Sequence, residues 1–188
     1  DKGRLDLNGR SLVDHVIARL APQVQAIALN ANGTPHRFAD LGLPIIADSH
    51  GTHAGPLAGI LAGLDWGAEQ GAETILTVAV DTPFFPLDFA QRMQQAARYR
   101  HPPLILAATR EPATTGRQIR RHPVFGLWPT ALRHDLRASL KQGVRKVVIW
   151  ADRHDAGTVV FDTQGGDPFF NINRPQDLHL ARAMIERA

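Results

Sequence analysis

Residues 74–83 read TILTVAVDTP, and the order of apolar and polar residues in this stretch predicts the class of fold. The apolar run from Thr74 to Val80 is typical of a strand that is buried on both faces of a parallel sheet. Prolines cannot join a strand ladder, so Pro83 ends the strand close to Asp81. Ligands of open α/β sheets bind at the carboxyl ends of the strands, where a carboxylate suits a hard cation such as Mg²⁺. An aspartate before Thr-Pro also initiates turns, which is the plainer interpretation of Asp81.

Short apolar segments alternate with amphipathic segments along the chain, which is the order expected of βαβ units. Strands are predicted over residues 25–30, 43–47, 73–80, 104–108, 124–128 and 158–161. Helices are predicted over residues 11–20, 35–41, 56–70, 87–99, 131–142, 143–150 and 175–187. We therefore predict one α/β domain over residues 1–188, a three-layer, mostly parallel twisted sheet with helices on both faces, Rossmann-like in outline. The polar segment 110–121 is predicted to be a mobile loop.

The composition is that of an ordinary globular domain. The chain has 188 residues, of which 44% are hydrophobic and 21% charged. The absence of cysteine excludes a disulfide framework, a thiolate metal site and a cysteine nucleophile, and fits the reducing cytoplasm. No apolar run has the length of a membrane span and no signal peptide opens the sequence, so we expect a cytoplasmic protein with no membrane partner.

The net charge is +3, with basic residues concentrated in the second half of the chain. Such an excess favours an anionic partner. The single tyrosine provides little of the aromatic stacking that a single-strand binder uses, so we expect a phosphorylated small molecule and no nucleic acid. The basic residues concerned are Arg117, Arg120, Arg121, Arg133, Arg137, Lys141, Arg145 and Lys146. Those from Arg133 to Lys141 lie in a predicted helix and can also be interpreted as its solvated face.

Polar residues follow two other predicted strands. Asn30 ends the first of these strands and offers amide donors and an acceptor that suit a nucleobase edge, although asparagine is also a common turn residue. Asp48 ends the next strand and repeats the pattern seen at Asp81. Gly55 and Pro56 then open a helix whose first N–H groups can bind an anion.

Two further segments lie near the chain ends. Lys2 stands beside a glycine and is a flexible positive charge suited to phosphate, or simply an exposed lysine. Asn171 and Asn173 alternate with apolar residues, so both are predicted to face the same side of an extended segment. Asn173 also has the position of a helix cap.

Taken in order, these segments resemble the bacterial molybdenum cofactor guanylyltransferases, from residue 1 to about residue 180. The most specific parts of the resemblance are GPLAG at 55–59, VDTPF at 80–84 and FNINRPQDL at 170–178; His122-Pro123 also matches the family's turn. The resemblance implies a nucleotide-diphospho-sugar transferase-like fold. It implies an enzyme that transfers GMP from GTP to molybdopterin and releases pyrophosphate. The partners expected on this basis are GTP and molybdopterin, then molybdoenzyme apoproteins or their chaperones.

The resemblance also implies a role for individual residues. Lys2 resembles the family's catalytic lysine at the nucleotide phosphates, and Asn30 and Asp48 resemble residues of its GTP site. Asp81 resembles its catalytic, Mg²⁺-binding aspartate, which also belongs to the nucleotide site. The molybdopterin site is expected at Gly55, Pro56, Asn171 and Asn173.

One part of the family pattern has no counterpart. The glycine-rich phosphate loop, with the strand before it, is expected just ahead of Asp1. Three alternatives therefore stay open: a cytidylyltransferase acting on the same pterin, a sugar-phosphate nucleotidyltransferase, and a non-catalytic molybdopterin carrier. The attacking phosphate monoester needs no strong general base, so no histidine is expected to be catalytic. His50, His53 and His122 also lack zinc-ligand spacing and are expected to be structural or solvated.

Overall fold

The computed structural model describes residues 2–48, 55–111 and 118–185. The predictions for His50, for His53 and for the centre of the 110–121 loop lie outside these residues, as does the end of the last predicted helix.

The regular elements follow the predicted alternation. The strands are β1 (Asp6–Leu7), β2 (Arg10–Ser11), β3 (Leu29–Asn30), β4 (Ile45–Ile46), β5 (Thr74–Thr77), β6 (Ile105–Arg110), β7 (Ile119–Pro129) and β8 (Gly157–Phe161). The α-helices are α1 (Leu12–Leu20), α2 (Pro56–Glu69), α3 (Phe89–Ala97), α4 (Arg133–Lys141), α5 (Val147–Asp152) and α6 (Pro175–Ile185). Short 3₁₀ helices cover Lys2–Arg4, Ala21–Gln23, Pro35–Leu41 and Thr130–Leu132.

Two sets of strands build the sheet layer. Strands β5, β7, β6 and β8 form a four-stranded sheet in that order, and β3 pairs in parallel with β4. Strand β6 is parallel to β8, whereas β7 is antiparallel to both β5 and β6. Because β5, β6 and β8 share one direction, the mostly parallel α/β class is confirmed, with β7 as its antiparallel member.

Helices cover both faces of this sheet. Leu104 and Leu106 belong to a core cluster with residues of α2, α4 and α5. Ile105 and Ala107 belong to a second cluster with residues of α1 and α3. Alternate residues of one strand therefore face opposite helical layers, as the two-residue period of a strand requires, and the predicted three-layer arrangement is confirmed.

A hairpin that the sequence patterns did not reveal precedes α1. Strands β1 and β2 pair antiparallel around Asn8 and Gly9, whose φ angles are 54° and 80°. Positive φ at both central residues is the geometry of a tight two-residue turn, for which Asn-Gly is the preferred pair. The hairpin contributes Leu7 to a small core with Ile172 and Ala181, and so packs against α6.

Several predicted boundaries were wrong. The predicted strands 25–30 and 73–80 are regular only at Leu29–Asn30 and Thr74–Thr77. The other residues of these two segments line a cleft of about 1150 Å³ between β3 and β5, and within the described part of the chain no strand pairs with either of them on that side. Ile119–Arg121, predicted to lie in a loop, begin the long strand β7, because they pair with residues 108–110 of β6. Among the described residues, no helix has the length and apolar character needed to cross a membrane.

Candidate functional site

Three segments that are far apart in the sequence meet at Asp81. The Asp81 carbonyl accepts a hydrogen bond of 2.8 Å from the Ile172 amide. The Lys2 ammonium lies 3.7 Å from the Asp81 carboxylate and also donates a hydrogen bond to the Asn173 side-chain oxygen. The side chain of Lys2 is 52% exposed and that of Asp81 is 17% exposed, so the group opens to solvent on the lysine side. A cation, a carboxylate and an amide therefore converge at the end of β5.

The segment that carries the two asparagines is held by its apolar residue and by α6. Ile172 is fully buried, whereas Asn171 and Asn173 on either side are exposed, as the alternation predicted. The Asp177 carboxylate accepts hydrogen bonds of 2.8 Å from the amides of Asn173 and Arg174. The interpretation of Asn173 as the helix cap is therefore wrong. Asp177 binds the amides of the two residues that precede α6, and the Asn173 side chain turns to Lys2 instead.

A second polar group forms at the ends of β3 and β4. The Asp48 carboxylate accepts hydrogen bonds from the side-chain amides of Asn30, at 3.0 Å, and Asn32, at 2.8 Å. The Asp48 amide in turn donates to the Asn32 side-chain oxygen at 3.0 Å. Because β3 and β4 are parallel, the residues that follow them are carried to the same edge of the sheet. Asn30 and Asn32, which are exposed, and Asp48, which is half-buried, are thus held in a fixed relative orientation.

Helix α2 backs this group at close range. A methyl group built on Gly59 would lie only 2.5 Å from the Asn30 side-chain oxygen, so the fit needs a residue without a β-carbon. The helix begins at Pro56, after Gly55 with a φ of 64° that favours glycine. The start of α2 carries the positive end of the helix dipole, and Gly59 near that start lies beside Asn30, so the position favours an anion.

His122 stands apart from these charges. Its ring packs on Phe169 with centroids 4.4 Å apart and lies 3.0 Å from the Thr109 hydroxyl. Burial, reinforced by the positive charge of Arg120, lowers the pKa of His122 from 6.5 to about 4, against the opposing effect of Asp167 and Glu111. The imidazole is therefore neutral at neutral pH and has a structural environment, in line with the expectation for this residue.

The arrangement can bind a phosphate chain and one divalent cation. Lys2 and the start of α2 are suited to anions. Within the described ranges no three His, Asp or Glu side chains come together as a metal cluster, so the described side chains do not by themselves form a complete metal shell around Asp81. Mg²⁺ commonly takes one or two carboxylates and completes its shell with water and substrate phosphates, which fits such a site.

The structure joins most of the candidate residues in two groups. Lys2, Asp81 and Asn173 form one, and Asn30 and Asp48 form the other. Asn30 and Asp81 line the same cleft, so both groups lie at one edge of the fold. Asn171 adjoins the first group, but its side chain makes no hydrogen bond within the described part of the chain. Gly55 and Pro56 adjoin the second group.

Three contributors, namely Asn32, Gly59 and Asp177, were not among the residues to which the resemblance assigned a site role. Two of these residues have a signal in the local sequence. Asn32 repeats the amide of Asn30 two residues later, and Asp177 has the third helical position at which an acidic side chain caps backbone amides. The close approach of Gly59 to Asn30 depends on how α2 packs, which a sequence pattern does not specify.

Comparison with known proteins identifies the family. The family model for a MobA-like NTP transferase domain matches residues 1–157. The chain belongs to the MobA-like NTP transferase family. It is 44% identical to a molybdenum cofactor guanylyltransferase of Mesorhizobium japonicum, over 99% of this chain and 88% of the relative. It is 45% identical to the protein of the same name from Rhodopseudomonas palustris, over 100% of this chain and 87% of the relative.

Solved structures support the same fold for this MobA-like protein. The molybdopterin-guanine dinucleotide biosynthesis protein A of Archaeoglobus fulgidus superposes with a TM-score of 0.71 at 20% identity, over 100% of this chain and 91% of that protein. The 4-diphosphocytidyl-2C-methyl-D-erythritol synthase of Anaerococcus prevotii superposes with a TM-score of 0.76 at 13% identity, over 97% and 88%. The nucleotide-diphospho-sugar transferase-like fold expected from the sequence is confirmed.

Proposed function

We propose that this MobA-like NTP transferase is a molybdenum cofactor guanylyltransferase, which transfers GMP from GTP to molybdopterin. The convergence of Lys2, Asp81 and Asn173 carries the proposal, because it brings a phosphate-binding cation, a metal-binding carboxylate and a second-substrate amide to one place. The relatives that bear this name, at 41% to 45% identity over nearly the whole chain, support it.

The reaction exchanges one phosphate ester bond for another. An oxygen of the terminal phosphate of molybdopterin attacks the α-phosphorus of GTP and forms a new P–O bond. The bond between that phosphorus and the oxygen bridging to the β-phosphate breaks, and pyrophosphate leaves with the electron pair. A phosphate monoester is already anionic at neutral pH, so the protein needs no general base, and no histidine is assigned to catalysis.

Lys2 and Asp81 carry the electrostatic part of this reaction. Both substrates are polyanions, so the main task is to offset the repulsion between phosphates and to hold the reacting atoms in line. Lys2 would bind the oxygens around the α-phosphate, exchanging its contact with Asn173 for them. Asp81 would hold Mg²⁺, which when bound neutralises charge on the triphosphate and on the pyrophosphate that leaves.

The remaining residues position the two substrates. Asn30 and Asp48, oriented by Asn32, would bind the GTP nucleoside. Gly55, Pro56, Asn171 and Asn173 would contact molybdopterin. The product would pass to molybdoenzyme apoproteins or their chaperones, and we expect the reaction to take place in the cytoplasm.

Product analysis tests the proposal. The protein is incubated with molybdopterin, Mg²⁺ and either GTP or CTP, and the pterin dinucleotides are separated and identified by mass. We expect the guanine dinucleotide from GTP and none of the cytosine form from CTP. Product from CTP alone would assign the protein to cytidylyl transfer, and bound molybdopterin with no product from either nucleotide would make it a carrier; each result would overturn the proposal.

A further inference from the structure

The two groups of the candidate site are connected by a residue that the proposed reaction does not use. Arg4 ends the 3₁₀ helix Lys2–Arg4, so it lies two positions from the lysine of the first group. Its side chain reaches the 3₁₀ helix Pro35–Leu41, which follows the loop that carries Asn32. Asn32 in turn orients Asp48 in the second group. Arg4 therefore bridges the two groups.

All three nitrogens of the Arg4 guanidinium make hydrogen bonds. Nη1 and Nη2 donate to the two carboxylate oxygens of Asp40, the first of them at 2.8 Å. Nε donates to the backbone carbonyl of Arg37 at 3.2 Å, and Nη2 donates to the same carbonyl. Paired contacts of this kind fix the plane of the guanidinium as well as its place. A lysine, with one charged nitrogen, could not reproduce them.

The ring of Phe38 packs against the same guanidinium. The Cζ atom of Arg4 lies 4.8 Å from the centre of this ring, and the Cζ atom of Arg37 lies 5.5 Å from it. Phe38 is buried in a core cluster with Val13 and Leu29, so the ring is fixed by the core. A cation over the face of such a ring is attracted by the ring electrons. Arg4 is therefore anchored to the body of the fold.

The 3₁₀ helix that receives Arg4 also holds the nucleoside side of the candidate site. The Nη2 of Arg37 donates to the carbonyl of Asn32 at 2.6 Å, and the Asn32 side chain donates to the Asp48 carboxylate at 2.8 Å. Contacts therefore run without a break from the backbone beside Lys2, through the two arginines, to the Asp48 carboxylate. A shift at either end of this chain of contacts would be felt at the other.

The contribution of Arg4 is one of geometry more than of stability. Its side chain is 30% exposed and that of Asp40 is 64% exposed, and an exposed ion pair adds little to the free energy of unfolding. Four hydrogen bonds nevertheless hold Arg4 in one orientation. Catalysis by charge placement depends on such precision, because a displacement of about 1 Å can cost about a hundredfold in rate. Lys2 has a flexible stem, so the place of its ammonium depends on where its backbone is held.

We propose that Arg4 is a positioning residue, which fixes the backbone of Lys2 relative to the nucleoside pocket at Asn30 and Asp48. A GTP molecule whose nucleoside fills that pocket then presents its α-phosphate to the Lys2 ammonium. Arg4 itself touches neither substrate, because its guanidinium is engaged by the fold. This inference rests on the proposed guanylyl transfer, in which Lys2 binds near the α-phosphate.

The kinetics of Arg4 variants test the inference. We expect Arg4→Ala to lower kcat by about tenfold or more and to leave the Kd for GTP within about twofold of the parent value, because the nucleoside pocket remains while Lys2 is displaced. Arg4→Lys should restore little of the rate, since its ammonium cannot make the paired contacts. The matched control is Arg137→Ala, at an arginine that is also 30% exposed and pairs with Asp65 on α2. It should keep the parent rate.

A variant of the partner carboxylate separates positioning from charge. Asp40→Ala leaves the positive charge of Arg4 in place and removes its anchor, so a positioning role predicts a lower kcat. The double variant should lose no more than Arg4→Ala alone, because both changes break the same contact. A parent rate in Arg4→Lys or in Asp40→Ala would make Arg4 a nearby charge only. A loss confined to the Kd for GTP would make it part of the nucleotide pocket, and each of these results would overturn the inference.

Lysine NMR tests the same geometry without the reaction. The chain has three lysines, Lys2, Lys141 and Lys146, so ¹³C-lysine labelling gives few side-chain signals, and Lys2→Arg identifies that of Lys2. We expect Arg4→Ala, but not Arg137→Ala, to move this signal away from its parent position towards the signals of the other two lysines, which are exposed. An unmoved Lys2 signal would overturn the inference. A moved signal in a protein that forms no dinucleotide would support the placement of Lys2 by Arg4 and reject the proposed reaction alone.

Discussion

The amide of Ile172 donates a 2.8 Å hydrogen bond to the carbonyl of Asp81, and this contact fastens the segment before α6 to the end of β5. The bond joins residues 91 positions apart in the chain (172 − 81). Because Ile172 is buried, Asn171 and Asn173 on its two sides stay exposed beside the Asp81 carboxylate. One backbone contact thereby brings the two asparagines of the proposed molybdopterin site close to the proposed metal ligand.

Removing the Asp81 carboxylate should abolish transfer while the fold remains. We expect Asp81→Asn to lower kcat by about a hundredfold or more, because it removes the carboxylate proposed to hold the cation that offsets charge in the transition state. The measurement is the initial rate of guanine dinucleotide formation across a Mg²⁺ series. Asp88→Asn, at an exposed aspartate that begins α3, is the matched control and should retain the parent rate. A wild-type-like rate for Asp81→Asn in Mg²⁺ would remove Asp81 from the metal site.

Alanine substitutions of Asn171 and Asn173, the two asparagines near α6, should differ in their effects on substrate binding. Asn171→Ala should raise the KM for molybdopterin by about tenfold and leave the Kd for GTP unchanged, because one hydrogen bond to a charged phosphate is lost. Asn173→Ala should affect both substrates, since Asn173 also binds Lys2. Steady-state kinetics with each substrate varied in turn, together with GTP titration, measures the split. An Asn171→Ala variant with parent kinetics for molybdopterin would place that residue outside the site.

A single methyl group at Gly59 should disturb the nucleotide pocket. In Gly59→Ala the new β-carbon would meet the Asn30 side-chain oxygen at 2.5 Å, so Asn30 must rotate away from Asp48. We expect the KM for GTP to rise by about tenfold, equivalent to about 1.4 kcal/mol, while the KM for molybdopterin stays near the parent value. Gly165→Ala is the control, because its added methyl group would meet no atom within 4 Å. Equal GTP kinetics in both variants would show that the orientation of Asn30 does not matter for GTP.

His122 should make the protein less stable as the pH falls. Its pKa is about 4 in the folded protein and 6.5 as the reference for the unfolded chain, so the unfolded chain binds the proton first. The free energy of unfolding should therefore drop by about 2 kcal/mol from about pH 7 to about pH 5 through this residue alone. The loss of stability is complete below about pH 4, the pKa of His122 in the folded protein. It is absent well above pH 6.5, the reference pKa for the unfolded chain.

Denaturant unfolding at several pH values measures this effect. The reference is His122→Gln, which keeps a polar partner for Thr109 but does not titrate. Arg120, Asp167 and Glu111 face His122 and are common to both proteins, so their contributions largely cancel in the difference. Parallel stability curves for the two proteins between about pH 7 and pH 5 would contradict the assignment.

Local sequence patterns were sufficient for much of the fold. Runs such as TILTVAV and the glycine-proline starts of helices predicted the α/β class, the order of the elements and the strand ends that carry Asn30, Asp48 and Asp81. These features depend on neighbours within a few residues, through side-chain period and backbone restriction. The hairpin at Asn8-Gly9 has an equally local signal in its turn residues, although its two strands were not among those predicted.

The sequence by itself determined which residue types follow the strands, because the local order of apolar residues, glycines and prolines indicates approximately where each strand stops. Only the tertiary structure decided that Lys2 and Asn173 meet at Asp81, that Gly59 touches Asn30, and that β3 and β5 face each other across an open cleft. Those contacts join residues far apart in the chain, and they exist because packing the helices on both faces of the sheet brings distant segments to one edge. No local pattern carries that information.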